Sequence, residues 1–182
     1  MSLHALHQVL CVICEWTGSQ PYQFSAHGRE FSTNESDLDA KAVTLTDLKL
    51  RVGETFAYAH RSHNPWQLDL RLLARRPATK TEILPALLGG KRGAPDEHLA
   101  DVEAYLTEHR RHEYSPPVAS LKLAADAVTF LMRHNTRPGP EFMERLAVAK
   151  VEIEAYLRYT SPGLDLERIN RKLCEYVSGG AA

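Results

Sequence analysis

The hydrophobic positions at the start of the chain recur at steps of three and four residues, which is the period of an α-helix. Leu3, Leu6, Leu10 and Ile13 follow this pattern. Ser2 precedes them and is a suitable N-cap, because its hydroxyl can accept a hydrogen bond from an early backbone N–H of the helix. The pattern predicts a helix over residues 3–14.

Two later stretches have the alternating apolar and polar pattern of strands. Residues 22–31 predict a first hairpin with its turn at His27-Gly28, where glycine tolerates the required backbone angles. Residues 56–60 and 66–72 predict a second hairpin, with Trp66, Leu68 and Leu70 on its apolar face. Residues 32–42 between the hairpins show no period, and we expect a surface loop there.

The pattern becomes helical after Pro95 and remains so to the end of the chain. Residues 77–95 are rich in proline and glycine and predict a long irregular connection. Asp96 is the expected cap of a helix that runs to His109, and three more amphipathic helices follow. The predicted fold is α+β: an antiparallel sheet of about four strands, packed against the N-terminal helix and followed by a C-terminal helical region.

Composition excludes several classes of protein but does not identify a partner. The chain has 182 residues, of which 43% are hydrophobic and 25% charged, as is typical of a globular protein. The net charge of −1 provides no overall attraction to nucleic acid or to an anionic membrane. No signal peptide or membrane-spanning segment is recognisable, so we expect a cytoplasmic protein. The three cysteines favour no disulfide framework.

Several short motifs, taken in their order and spacing, resemble those of the plasmid pRiA4b ORF-3-like family. They include the sequences Leu-His-Gln-Val-Leu near the start and Trp-Gln-Leu-Asp-Leu in the second hairpin. The matching segments are residues 6–10, 15–16, 22–24, 28–31, 45–48, 52–58, 66–70 and 84–95. The resemblance covers about residues 4–112, and it divides the chain into an α+β domain over residues 1–112 and a helical extension over residues 113–182.

The resemblance implies a mobile-element protein and no particular reaction. Members of the family usually begin with a strand before the first helix, so we expect that strand to be missing here, through truncation, or to be supplied by another chain. The acidic residues of the family's second hairpin are also replaced, because this chain reads Ala-His-Arg-Ser-His-Asn-Pro-Trp over residues 59–66.

The first helix carries side chains of the types that bind zinc. His4, His7, Cys11 and Cys14 fall on one face of the predicted helix. A straight helix spaces these side chains too widely for all four to close a tetrahedral site, so at most two could be ligands. His7 and Cys11 are the candidates, and packing of both side chains in the core is the simpler interpretation. We therefore predict no metal site.

A basic stretch is the strongest charge asymmetry in the sequence. Between residues 49 and 92 there are nine Lys and Arg side chains against three Asp and Glu. Phosphate binding requires such side chains on one surface. The candidate nucleic-acid-binding residues, on the second hairpin and the adjoining loop, are Arg61, Arg71, Arg75, Arg76, Lys91 and Arg92. The alternative is a solvated sheet face that binds nothing.

Recognisable catalytic motifs are absent from the sequence, which contains neither a nucleophile elbow nor a nucleotide-binding loop. Cys11 and His7 could pair on one helix face, but no third group is evident to orient them. We expect no catalytic residues and no cofactor, and predict a non-enzymatic binding or accessory module with nucleic acid as its candidate ligand. Two alternatives remain open. One is a protein-interaction module whose C-terminal helices dock a partner or a second copy; the other is a hydrolase or metal enzyme with a degenerate site.

Overall fold

The computed structural model describes residues 1–33, 37–60, 66–161 and 163–179. The chain forms two compact units. The first unit contains residues 1–90, 94–102 and the C-terminal segment from residue 165; the second contains residues 91–93 and 103–164. Among the described residues, every helix is too short or too polar to cross a membrane.

The first helix, α1 (Leu3–Cys14), has the predicted bounds and the predicted cap. The Ser2 hydroxyl oxygen accepts a hydrogen bond from the backbone N–H of Ala5 at 3.1 Å. Glu15 ends the helix in the left-handed conformation, with φ of 58°. The apolar face of α1 is buried in the core of the first unit, which confirms the helical period read from the sequence.

A five-stranded sheet forms the rest of that core. The strands are β1 (Tyr22–Ala26), β2 (Arg29–Ser32), β3 (Leu38–Asp39), β4 (Thr55–His60) and β5 (Trp66–Arg71), in the order β3-β2-β1-β4-β5. Both predicted hairpins are confirmed, because β1 pairs antiparallel with β2, and β4 with β5. The first hairpin turns at His27 and Gly28, which both have positive φ. Phe24 lies in the middle of the sheet, opposite Phe31 on one side and Tyr58 on the other.

The predicted number of strands was too small. The additional strand, β3, pairs in parallel with β2, so the sheet is mixed although mostly antiparallel. It lies within residues 32–42, which we expected to form a loop. The strand has only two residues, Leu38 and Asp39, and both are exposed. A strand this short and exposed leaves no alternating pattern in the sequence.

Within the described residues, four helices follow the irregular connection: α2 (Val102–Tyr114), α3 (Val118–His134), α4 (Pro140–Thr160) and α5 (Leu166–Gly179). Their number agrees with the prediction, but α2 begins five residues later than expected for a helix capped by Asp96. The Asp96 side chain accepts a hydrogen bond from the backbone N–H of His98 at 2.9 Å. Such a local turn competes with helix formation.

The last helix, α5, belongs to the first unit. It buries Ile169 and Leu173. Arg168 and Lys172 on the same helix form ion pairs with Glu15, at 3.0 and 2.9 Å. The domain boundary predicted after residue 112 stays a prediction, because a division into compact units does not test which segments fold independently.

Candidate functional sites

A groove on the first unit brings together three of the predicted basic residues. Arg71, Arg75 and Arg76 line this groove, which has a volume of about 790 Å³. Its other walls are largely apolar. The apolar side chains include Leu6, Leu45, Leu50, Phe56, Leu70, Leu72 and Leu84. We call this feature the arginine groove; it combines positive charge with apolar surface.

All three arginines contact neighbouring residues within the part of the chain that the structure describes. Arg71 Nε lies 3.4 Å from Thr55 Oγ1, and Arg75 Nη2 donates to the carbonyl oxygen of Leu50 at 2.8 Å. Arg76 forms an ion pair with Glu82 at 2.5 Å. A guanidinium group has five N–H donors, so these contacts leave donors with which the side chains can bind an anion.

Glu82 is the acidic group of the arginine groove. Its hydrogen bond and charge interaction with Arg76, together with a hydrogen bond from the Thr79 backbone, lower its pKa to about 2. Glu82 is therefore ionised at neutral pH and opposes one arginine charge. The ionised lining of the groove sums to +2, since three arginines face one carboxylate.

The other predicted nucleic-acid-binding residues are Arg61, Lys91 and Arg92. Lys91 and Arg92 belong to the second compact unit, and Arg61 lies outside the described residues.

A second candidate site is a buried cluster between α1 and β4. His7, Cys11 and His60 each offer a potential metal ligand, and the three ligand atoms lie within 4.8 Å of one another. The residues are 1%, 3% and 0% exposed. The Tyr58 hydroxyl lies between them, 2.8 Å from His7 Nδ1, 3.2 Å from His60 Nδ1 and 4.0 Å from Cys11 Sγ. We call these four residues the His-Cys-Tyr cluster.

The periods of helix and strand place these side chains together. His7 and Cys11 are one turn apart on α1, and Cys11 Sγ lies 3.6 Å from His7 Nδ1. Tyr58 and His60 are two residues apart on β4, so they project from the same face of the strand. The core packing of α1 on the sheet then brings the two pairs into contact.

Two fixed acceptors orient the histidine rings. His7 Nε2 lies 3.3 Å from the carbonyl oxygen of Gly18, and His60 Nε2 lies 3.4 Å from a carboxylate oxygen of Glu97. A carbonyl and an ionised carboxylate can only accept, so each Nε2 carries the hydrogen and donates. Both Nδ1 atoms therefore present lone pairs to the Tyr58 hydroxyl.

Glu97 lies in the irregular segment before α2, and hydrogen bonds fix its position. The same carboxylate oxygen accepts a hydrogen bond from the backbone N–H of Thr17 at 3.0 Å. Trp16 Nε1 donates to the Pro95 carbonyl at 2.9 Å, and the Trp16 ring stacks on His60 at 4.5 Å. Burial alone would raise the pKa of Glu97, but its hydrogen bonds from Thr17 and His60 outweigh that effect and the pKa is lowered.

Burial keeps the members of the His-Cys-Tyr cluster uncharged at neutral pH. It lowers the pKa of His7 to about 4 and also lowers that of His60, against the opposing influence of Glu97. It raises the pKa of Cys11 to about 11 and that of Tyr58 as well. Both imidazoles are therefore neutral, and the thiol and phenol keep their protons.

Only part of this cluster is predictable from the sequence. The helical spacing brings together His7 and Cys11, whereas His4 instead bonds to Tyr22 and Cys14 packs in the hydrophobic core. The sequence pattern does not assign His60, Tyr58 or Glu97 to a site. The sequence feature that indicates this part of the cluster is the pair Tyr58 and His60, two polar aromatic residues on one face of a predicted strand.

The second unit exposes an apolar stripe on α3. Its members recur at alternating steps of three and four residues, which is the spacing of a helix–helix seam. All five members are apolar and exposed. The exposed fraction is 66% for Val118, 39% for Leu121, 56% for Val128 and 82% for Met132, and Ala125 is also exposed. The opposite side of α3 packs on α4 and buries Ala127. We call the exposed row the α3 stripe.

Comparisons with known proteins cover most of the first unit. The family model described as plasmid pRiA4b ORF-3-like protein matches residues 1–113. The structure is similar to a crystal structure of a protein of unknown function from Methanosarcina mazei Go1, with a TM-score of 0.55 and 19% sequence identity. That similarity covers 64% of this chain and 68% of the other, and at this identity it shows the fold alone. No curated protein matches the chain.

Proposed function

Because the chain belongs to the plasmid pRiA4b ORF-3-like family, we propose that it is a non-enzymatic binding module of a mobile element whose arginine groove binds single-stranded nucleic acid. The observation that carries this proposal is the placement of Arg71, Arg75 and Arg76 around one apolar groove. Plasmid DNA and its transcripts are cytoplasmic, so the proposal also places the protein's work in the cytoplasm.

The chemistry of the groove favours a single strand over a duplex. Arginine binds phosphate through paired N–H donors, and the groove offers three such side chains. A single strand also exposes the faces of its bases, which can pack on apolar surface. The leucine side chains of the groove, with Phe56, provide that surface. A duplex would bind the arginines through its phosphates, but its stacked bases would not pack on the apolar walls of the groove.

The first prediction concerns the three arginines of the groove. Replacing Arg71, Arg75 and Arg76 together by alanine should weaken binding of a labelled single-stranded oligonucleotide by at least about tenfold. The reason is that a single hydrogen bond to a charged group contributes about 1.5–3 kcal/mol. Fluorescence anisotropy at low salt measures the dissociation constant, and far-ultraviolet circular dichroism verifies that the variant is folded.

A matched control separates the groove from general charge. Arg110, Arg133 and Arg145 are exposed and belong to the second unit. Their triple alanine variant removes the same charge and should bind as the unchanged protein does. Equal weakening in the two variants would mean that net charge alone drives binding, and absence of any binding at low salt would refute the proposal. Tighter binding to duplex than to single-stranded nucleic acid would show that a single strand is not the preferred ligand.

A second candidate function, a protein-interaction module, is favoured by the α3 stripe. A second copy of the chain presents the same apolar row. Two α3–α4 pairs packed along it would form a four-helix arrangement, the kind of symmetric contact that most homodimers use. This candidate is compatible with nucleic-acid binding, since the stripe and the groove lie on different units.

The second prediction tests self-association through the α3 stripe. We expect the protein to sediment at twice its chain mass of 20.4 kDa. Val128→Lys should return it to the monomer, because a charge in an apolar seam is costly to bury. Val52→Lys is the matched control, since Val52 is similarly exposed on the first unit. A monomeric unchanged protein at all concentrations, or two variants that behave alike, would contradict the candidate.

A further inference from the structure

We propose that His7, Cys11 and His60 bind one zinc ion, through Nδ1 of each histidine and Sγ of the cysteine, with the Tyr58 oxygen beside the fourth position. Neutral imidazole nitrogen and thiolate sulfur are both ligands that zinc binds in proteins. This site is separate from the arginine groove and does not depend on the function proposed for it.

A tetrahedral zinc site around these groups requires a rearrangement of the His7 ring. Zinc lies about 2.0–2.1 Å from nitrogen and about 2.3 Å from sulfur, which separates such ligands by about 3.6 Å. One potential ligand atom from each of the three residues lies within 4.8 Å of the others. Cys11 Sγ is 3.6 Å from His7 Nδ1 but also 3.8 Å from His7 Nε2, so the sulfur lies beside the ring and not beyond the Nδ1 lone pair. Zinc binding therefore requires the His7 side chain to rotate until Nδ1 and Sγ face one point.

The hydrogen-bonding pattern without a metal depends on a weak donor. Tyr58 has one hydroxyl hydrogen, but two Nδ1 lone pairs face it, at 2.8 and 3.2 Å. The second hydrogen bond comes from the thiol of Cys11, which lies 3.6 Å from His7 Nδ1 and is a weak donor. A cation at the centre would satisfy both lone pairs at once.

The groups behind the histidines are those that commonly surround a bound zinc ion. Ligand histidines donate their second N–H to a carboxylate or to a backbone carbonyl, which fixes the ring and strengthens the ligand. His60 donates to Glu97 and His7 to the Gly18 carbonyl, so both arrangements are present. Both rings are held with Nδ1 directed into the cluster.

The charges and protons of the binding step balance. The S–H bond of Cys11 breaks, its sulfur forms a bond to zinc, and the proton leaves to solvent. The zinc ion and the thiolate together carry a charge of +1. The Glu97 carboxylate, at 3.4 Å from His60, brings the site to neutrality. No oxidant or reductant is involved.

The burial of the cluster indicates a structural role for the ion. All three ligand residues are almost fully buried, so solvent and substrate have no direct access to them. Zinc would join α1 to β4 across the core of the first unit. Since a buried site of this kind forms only as the chain folds, we expect the ion to be taken up during folding.

The test is refolding of the full chain in the presence of cobalt, which replaces zinc and reports its ligands spectroscopically. Protein unfolded in guanidinium with a chelator is transferred to buffer with Co²⁺ alone, with Zn²⁺ alone or with chelator. We expect one metal ion per chain, a thiolate-to-cobalt charge-transfer band in the near ultraviolet, and d–d bands of tetrahedral intensity. Zn²⁺ should displace the cobalt and abolish the bands.

Alanine variants of the two buried cysteines of α1 identify the ligand. Cys11→Ala should lose the charge-transfer band, whereas Cys14→Ala should keep it, because Cys14 is equally buried but outside the cluster. His60→Gln should keep the thiolate and weaken cobalt binding at least tenfold. This variant replaces Cys11→Ala as the test if Cys11→Ala does not refold. Unchanged protein that refolds without binding Co²⁺ or Zn²⁺, or a charge-transfer band that survives in Cys11→Ala, would overturn the proposal.

Discussion

Replacing Phe24 by alanine is expected to lower the free energy of unfolding of the first unit by about 3–5 kcal/mol, the usual cost of removing a fully buried phenylalanine ring. Phe24 is 0% exposed and lies on β1, the central strand of the sheet. Its ring centroid is 4.9 Å from that of Tyr58 and 6.3 Å from that of Phe56. The cavity left by the ring would therefore open beside the His-Cys-Tyr cluster.

Urea unfolding followed by tryptophan fluorescence measures this loss, because Trp16 and Trp66 both belong to the first unit. Phe130→Ala is the control. Phe130 is 37% exposed and lies on the second unit, so its replacement should change the same transition by less than about 1 kcal/mol. Equal losses in the two variants would contradict the position of Phe24 at the centre of the core.

Acidification from pH 7 to pH 4 is the second large effect that we predict. The pKa of His7 is lowered by burial from 6.5 to about 4 in the folded protein. The unfolded chain therefore binds a proton on His7 at a higher pH than the folded chain does. The contribution of His7 to the free energy of unfolding is fully present above about pH 6.5. As the pH falls from 6.5 to about 4, the free energy of unfolding decreases by about 3 kcal/mol. The lowered pKa of His60 acts in the same direction.

Urea unfolding of chelator-treated protein at a series of pH values measures this dependence. His7→Gln removes the titrating group and should flatten the curve between pH 7 and pH 4. His98→Gln is the control, because His98 is exposed and its side chain is 80% accessible, and the curve should keep its slope. A curve that is unchanged in His7→Gln would show that His7 is not the group that resists protonation.

The regular elements of the first unit were predictable because each leaves a period in the sequence. The apolar steps of α1 and the alternation of β4 and β5 are set by which side of each element faces the core. The turn at His27 and Gly28 was predictable from glycine's tolerance of positive φ. These features are local, and the sequence contains them directly.

The elements that the sequence did not predict are held by contacts from distant parts of the chain. Asp96 is a suitable helix cap and so predicts an earlier start for α2. The structure instead keeps residues 96–101 irregular, with Glu97 bonded to Thr17 and His60. Those partners are 80 and 37 residues away, and no local pattern indicates them.

In the candidate sites, too, local neighbours were predictable from the sequence and contacts between distant residues were not. His7 and Cys11 were predictable as neighbours because one helix turn joins them. His60 joins them only because β4 packs against α1, which is a property of the folded unit. Arg75 and Arg76 follow β5 in sequence and share the groove with Arg71 on that strand, whereas Lys91 and Arg92 belong to another unit despite a similar charge.

The salt dependence of nucleic-acid binding reports how many phosphates the arginine groove holds. Affinity falls as salt rises, and each phosphate that the protein contacts on a single strand contributes about −0.7 to the slope of log affinity against log salt concentration. With Arg71, Arg75 and Arg76 bound to phosphates, the slope of the unchanged protein should be more negative than that of the triple alanine variant by about 2. Equal slopes for the two proteins would contradict the account, because the arginine groove would then take no part in binding.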